Sequence, residues 1–199
     1  MVGQNNYLKR LYYWIIKWAQ TSYAVGALFA LAVAESFFFP IPPDVLLIAM
    51  AIARPKKSFF YAGLCTLGSV LGGILGYFIG WQFMVTIGEK IIQFYNLGDK
   101  YLEVQHLYQI YDIWAVGIGG FTPLPYKLFT ISAGVFKINI FSFILASFVA
   151  RGLRFFLVGG IFHIWGQKAQ IIIERYFNWL ATGFATMLIL GYFFIKWLF

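Results

Sequence analysis

The stretch Glu35-Ser36-Phe37-Phe38-Phe39-Pro40-Ile41-Pro42-Pro43-Asp44 interrupts an apolar run, residues 22–53, whose only charges are Glu35 and Asp44. As continuous helix, those 32 residues would measure about 48 Å, too long for one crossing of a hydrocarbon core about 30 Å thick and too short for two. Each of Pro40, Pro42 and Pro43 removes a backbone donor and turns its predecessor away from helix. The prediction is therefore a re-entrant hairpin over 22–53 that enters, breaks at the prolines and returns. In hydrocarbon an unpaired carbonyl costs several kcal/mol, so the break must be buried in protein or line a wet cavity. Lys9, Arg10 and Lys17 precede the run and Arg54, Lys56 and Lys57 follow it. Both groups belong on the cytoplasmic side by the positive-inside rule, which a single crossing would violate.

Residues 113–137 repeat the pattern, with two short apolar stretches separated by Phe121-Thr122-Pro123-Leu124-Pro125-Tyr126-Lys127. At an offset of 83 residues Pro40 and Pro42 fall on Pro123 and Pro125, and Asp44 falls opposite Lys127. If the second hairpin enters from outside, the two breaks form an inverted repeat meeting near the midplane. Transporters of that build bind substrate there, using broken-helix ends and their unpaired backbone groups.

The rest of the chain fits a membrane setting. Hydrophobic residues make up 61% of it and charged residues 11%, against about 25% charged in a soluble domain, so water is not its main solvent. The formal charge of +8 gathers at the ends of apolar segments, which points to topology and anionic lipid and not to nucleic acid. Residues 1–20 read as an interfacial amphipathic helix, with Leu8, Leu11, Ile15 and Trp18 on one face. Ala32-Val33-Ala34 mimics a signal cleavage site, but more membrane-like sequence follows it, so the segment is expected to be retained.

A membrane domain over 21–165 follows: the hairpin at 22–53, a span at 58–83, polar helices at 84–112, the hairpin at 113–137 and a span at 138–165. Residues 166–199 supply a linker and a last span at Tyr176–Phe199. The fold class is all-α: two inverted re-entrant hairpins, about three transmembrane spans and amphipathic interfacial helices. Eight basic residues then lie inside and four outside, which sets the N-terminus in the cytoplasm. Gly68, Gly72, Gly76 and Gly80 make a stripe for close helix packing, within one chain or in a homo-oligomer. Cys65 is the lone cysteine, and His106 and His163 are far apart without a carboxylate at ligand spacing. No metal or cofactor is expected.

Ionisable residues at bilayer depth mark function, because each costs at least about 2.5–3.5 kcal/mol unless it faces a cavity or a partner. Five qualify: Glu35, Asp44, Lys127, Arg151 and Arg154. A carboxylate beside a movable cation can act as a proton switch, so Glu35 and Asp44 are expected to exchange protons or to pair with Lys127. Arg151 and Arg154 lie three apart on one helical face. Their guanidinium forks suit a lipid phosphate or anionic headgroup, and the competing reading is that they pair with Glu35 and Asp44 or snorkel to the interface. Lys127, just after the second break, is the better single phosphate candidate.

Glu35–Asp44 together with Gly120-Phe121-Thr122-Pro123-Leu124-Pro125-Tyr126-Lys127 and the following Ala133-Gly134 resemble the motifs of the DedA family, also called the SNARE-associated or VTT-domain family, and within it the YqaA-like branch. The likeness covers roughly residues 20–165. It implies a bacterial inner-membrane, multi-pass protein with two re-entrant hairpins that moves lipids across the bilayer, with membrane acids and arginines required. Glu35 and Asp44 match the acidic positions of the first motif. In the second, the family's usual arginines flanking the proline are replaced by Gly120 and Tyr126, with Lys127 one position late. The expected function is a proton-coupled flippase or scramblase for phospholipid or polyprenyl phosphate, not an enzyme. The alternatives are a small-ion or metabolite transporter, or a membrane enzyme or assembly factor acting on headgroups.

Overall fold

The computed structural model describes residues 21, 23–122 and 124–166, and every regular element among them is helical. The interfacial helix expected at 1–20, the span expected at Tyr176–Phe199 and Pro123 lie outside the described residues. Helices α1 (Tyr23–Glu35) and α2 (Asp44–Ala53) flank the first proline break. A short 3-10 turn, Pro55–Lys57, leads into α3 (Ser58–Phe83), and a π-helical turn at Met84–Gly88 carries α3 into α4 (Glu89–Phe94). Then come α5 (Gly98–Ile110), α6 (Asp112–Phe121), α7 (Tyr126–Val135) and α8 (Ile140–Gly166).

Among the described residues, two helical stretches are long and apolar enough to cross a membrane: Pro55–Phe94, with 40 residues, and Ile140–Gly166, with 27. By contrast α1 has 13 residues and α2, α6 and α7 have 10 each, so at about 15–20 Å none reaches across alone. The α-helix of the span expected at 58–83 ends at Phe83, and helical hydrogen bonding continues through the π-helical turn into α4 as far as Phe94. The first stop is at Asn96, whose φ of 51° is the left-handed conformation that asparagine tolerates.

The glycine stripe decides how the short helices pack. A Cβ at Gly68 would lie 2.9 Å from the Phe29 carbonyl oxygen, and one at Gly72 would collide with the Val33 carbonyl, both on α1. One at Gly76 would strike the Thr130 hydroxyl and one at Gly80 the Ile131 carbonyl, both on α7. Gly134 of α7 returns the fit, lying against the Tyr77 carbonyl and the Trp81 amide. The stripe therefore packs within the chain, its lower half on α1 and its upper half on α7. In lipid, where apolar surfaces gain little from hiding from one another, such close backbone approach is a main source of helix association.

These contacts also fix directions. Phe29, Val33 and Phe37 succeed one another against Gly68, Gly72 and Gly76, so α1 runs parallel to α3, and α2 returns to the start of α3. Tyr126, Thr130 and Val135 succeed one another against Gly73, Gly76 and Gly80, so α7 is also parallel to α3, with α6 descending beside it. Antiparallel to α3 along its whole length runs α8: Phe143 packs on Tyr77, Gly152 lies against Thr66, and His163 reaches the Pro55 carbonyl at 3.1 Å. The two hairpins thus open toward opposite ends of α3, and their tips meet near Ser69, the twelfth of its 26 residues. One core joins α1, α2 and the start of α3 around Leu28, Leu47, Tyr61 and Phe155, and another joins α6, α7 and α8 around Val116, Tyr126 and Phe143.

Candidate functional site

Where the tips meet, the chain buries charge. Glu35 is the last residue of α1, where the helix dipole disfavours a carboxylate by about 0.3–1 kcal/mol. An arginine offsets this: Arg151 Nη2 lies 2.6 Å from Glu35 Oε2. Arg151 is 1% exposed, and a second of its nitrogens is also engaged. Its Nε donates to Ser69 Oγ at 2.6 Å, and Ser69 shares a 2.7 Å hydrogen bond with Ser36. Its Cζ lies over the rings of Tyr126 and Phe155, 4.8 and 4.7 Å from their centroids. Tyr126 is held in turn by its hydroxyl, which donates to Ser147 at 2.5 Å. A buried cation survives only when its charge is met, and here Glu35 meets it, with the Ser69 hydroxyl and two aromatic rings in support.

The second pair is built differently. Asp44 opens α2, where the dipole favours an acid. Arg154 reaches it with a fork, Nη2 to Oδ2 at 2.9 Å and Nε to Oδ1 at 3.4 Å. Its remaining Nη1 donates to the Thr122 carbonyl at 2.9 Å, in the second break. The side chains of Arg154 and Asp44 are 20% and 17% exposed. Arg154 therefore touches both breaks at once. A second link crosses between the tips, from the Thr130 hydroxyl to the Ser36 carbonyl at 2.9 Å.

Four of the five ionisable residues expected at the site are thus brought together as two arginine–carboxylate pairs. The pairing expected between Asp44 and Lys127 does not form. Because α7 begins at Tyr126, that ring takes the position against Arg151, and Lys127 follows it about 100° further round the helix. Lys127 is half-buried and forms no ion pair with any described residue. Of the break prolines, Pro43 is buried at the start of α2, whereas Pro40, Pro42 and Pro125 are exposed.

The hydroxyls that hold Arg151 and link the tips, namely Ser36, Ser69, Tyr126, Thr130 and Ser147, carry no site role in the sequence analysis. A signal was present, since each is a hydroxyl in otherwise apolar sequence, where an unpaired polar group is costly.

A family model for the VTT domain matches residues 41–164. An uncharacterized protein of Haemophilus influenzae is 32% identical over 181 residues, which cover 91% of this chain and 94% of that protein. A homologous uncharacterized protein of Histophilus somni is 32% identical over 189 residues, covering 94% and 97%. An uncharacterized protein of the archaeon Methanocaldococcus jannaschii is 22% identical over 132 residues, covering 66% and 79%. No solved structure matches the chain. With a model match over well more than half its length and relatives aligned nearly end to end, the chain belongs to the VTT-domain, or DedA, family of membrane-associated proteins.

Proposed function

We propose that this chain is a multi-pass membrane transporter that moves lipids, phospholipid or polyprenyl phosphate, across the bilayer as a proton-coupled flippase or scramblase. The observation that supports the reading is the meeting of two oppositely opening hairpins halfway along a membrane-length helix, with Glu35, Asp44, Arg151 and Arg154 at that level. On this reading both hairpins are re-entrant, and α3, α8 and Tyr176–Phe199 are the three spans. Residues 21–165 form the membrane unit, flanked by 1–20 and 166–199, in a bacterial inner membrane with the N-terminus cytoplasmic.

Four charged groups at bilayer depth are tolerable because each faces an opposite charge or a polar opening. A headgroup crossing the membrane needs the same relief, and the breaks offer it in donors, acceptors and charges. Lys127 adds a cation that no described acid matches, which suits a lipid phosphate or anionic headgroup. Neutralising Asp44 with a proton would loosen Arg154 and couple passage to the proton gradient. The role is transport and not catalysis.

The test is reconstitution of the purified protein into vesicles carrying a lipid with a fluorescent headgroup, with membrane-impermeant quencher added outside. Lipid exchange between leaflets should exceed that of protein-free vesicles and should respond to an imposed pH gradient. Exchange at the protein-free rate in both conditions would refute lipid transport. Ion or metabolite flux without lipid exchange would establish the alternative transporter class.

A further inference from the structure

The two ion pairs sit three residues apart on α8 yet differ in what surrounds them, and the difference assigns them separate tasks. We propose that Arg151 is a permanent tie within the protein, while Arg154 is a releasable clasp that holds the two breaks together until an anion takes the place of Asp44. The anion-exchange part rests on the transport reading above; the mechanical part does not.

The guanidinium of Arg151 offers a newcomer no open approach. It is 1% exposed, with Glu35 on Nη2, Ser69 on Nε and the ring centroids of Tyr126 and Phe155 4.8 and 4.7 Å from its Cζ. A ligand could reach it only by displacing α1, α3 or α7. Nothing comparable encloses Arg154, since no aromatic ring covers its guanidinium among the described residues and about a fifth of its side chain is open. Asp44 presents two oxygens to its fork in the geometry that a phosphate would present. An anion arriving through the opening can therefore replace the carboxylate acceptor for acceptor, without any cavity being created.

Such an exchange has a mechanical consequence. Arg154 holds Asp44, at the start of α2, and the Thr122 carbonyl, at the end of α6, from a common position on α8. When Asp44 is released, the first hairpin loses its tether to α8 and to the second break at this point. The Thr130–Ser36 hydrogen bond and the Glu35–Arg151 pair remain to limit the opening. The clasp therefore admits a small parting of the tips beside Asp44 while the tie keeps α1 in place.

Double electron–electron resonance reads that parting directly. Spin labels are placed on Ile41→Cys and Phe121→Cys, each 49% exposed, one in either tip, in full-length protein carrying Cys65→Ala, the native cysteine being fully buried. In phosphatidylcholine nanodiscs the unmutated site should give one narrow distance peak. Asp44→Asn and, independently, Arg154→Gln should shift it to longer distance, whereas Glu35→Gln should leave it unmoved even if it lowers the melting temperature. An unmoved peak in both clasp variants, or an equal shift in Glu35→Gln, would overturn the proposal.

Two further arms test exchange. Nanodiscs containing phosphatidylglycerol, and phosphatidylcholine nanodiscs in inorganic phosphate, should lengthen the peak of the unmutated site in at least one case. Lengthening with phosphatidylglycerol alone assigns a lipid headgroup, and lengthening with phosphate assigns a free anion. No response to either refutes anion exchange. Failure of lipid exchange in vesicles together with a responding peak would reject the transport reading and keep the clasp.

Discussion

Replacing Arg151 by methionine removes a cation that is 1% exposed and leaves Glu35, itself 15% exposed, without its counter-charge. Breaking a buried ion pair from one side costs about 3–5 kcal/mol. Loss of the cation from between Tyr126 and Phe155 adds about 0.5–2 kcal/mol for each ring, offset in part by the fit of the methionine chain against the same rings. A net cost of about 4 kcal/mol is expected for Arg151→Met, and a similar cost for Glu35→Leu, which strands the arginine instead. The double variant strands neither charge, so it should recover to within about 1–2 kcal/mol of the unmodified protein. The assay is equilibrium unfolding in mixed micelles of mild detergent and dodecyl sulfate, followed by tryptophan fluorescence, with all four proteins forming a double-mutant cycle. Additive single effects, or a cost below about 1 kcal/mol for Arg151→Met alone, would refute the reading of this pair as a buried structural tie. The same cycle at Asp44 and Arg154 should give a smaller coupling, because the Arg154 side chain is 20% exposed where that of Arg151 is 1%.

The glycines give predictions of opposite sign. Gly72→Ala and Gly80→Ala press a methyl group against the carbonyls of Val33 and Ile131 and should each lose about 1–3 kcal/mol, whereas Gly26→Ala, which meets nothing within 4 Å, should gain about 0.4–1 kcal/mol; detergent melting curves separate the two groups. Thr130→Val removes the hydrogen bond to the Ser36 carbonyl and should lower stability by about 1–2 kcal/mol, with faster hydrogen exchange at the amides of Phe38 and Phe39, which bond to Ala34 at the end of α1. Tyr126→Phe keeps the ring on Arg151 but loses the bond to Ser147, so unfolding should report a loss of about 1–2 kcal/mol while α8 keeps its place. Asn139 caps α8 by accepting from the amides of Phe141 and Ser142, and Asn139→Ala should cost about 1 kcal/mol in the same assay.

Much of this architecture was legible before any coordinates. The hairpin reading of residues 22–53 followed from a length that fits neither one crossing nor two, and two short helices about a proline break are what the structure contains. The second break was found by its proline spacing, and α6 and α7 flank it. The stripe from Gly68 to Gly80 was identified as a packing face. Glu35, Asp44, Arg151 and Arg154 were singled out because charge in an apolar run always demands a reason. The α-helix end expected at residue 83 is where the structure turns from α-helical to π-helical bonding.

What the linear chain determines here is which residues are constrained: prolines that must break, glycines that must be approached, charges that must be met. Those demands are local, since each arises from the donor, side-chain volume or charge that a residue carries. Who meets them is a different matter. Glu35 finds Arg151 across 116 positions and Asp44 finds Arg154 across 110, while Lys127, the partner that repeat alignment suggested, is turned aside because Tyr126 begins α7 one residue earlier. Periodicity assigns a residue to a face of its own helix and carries no information on the height at which another helix crosses. That height is set by the glycine contacts along α3, and only their closure in three dimensions separated the enclosed Arg151 from the open Arg154.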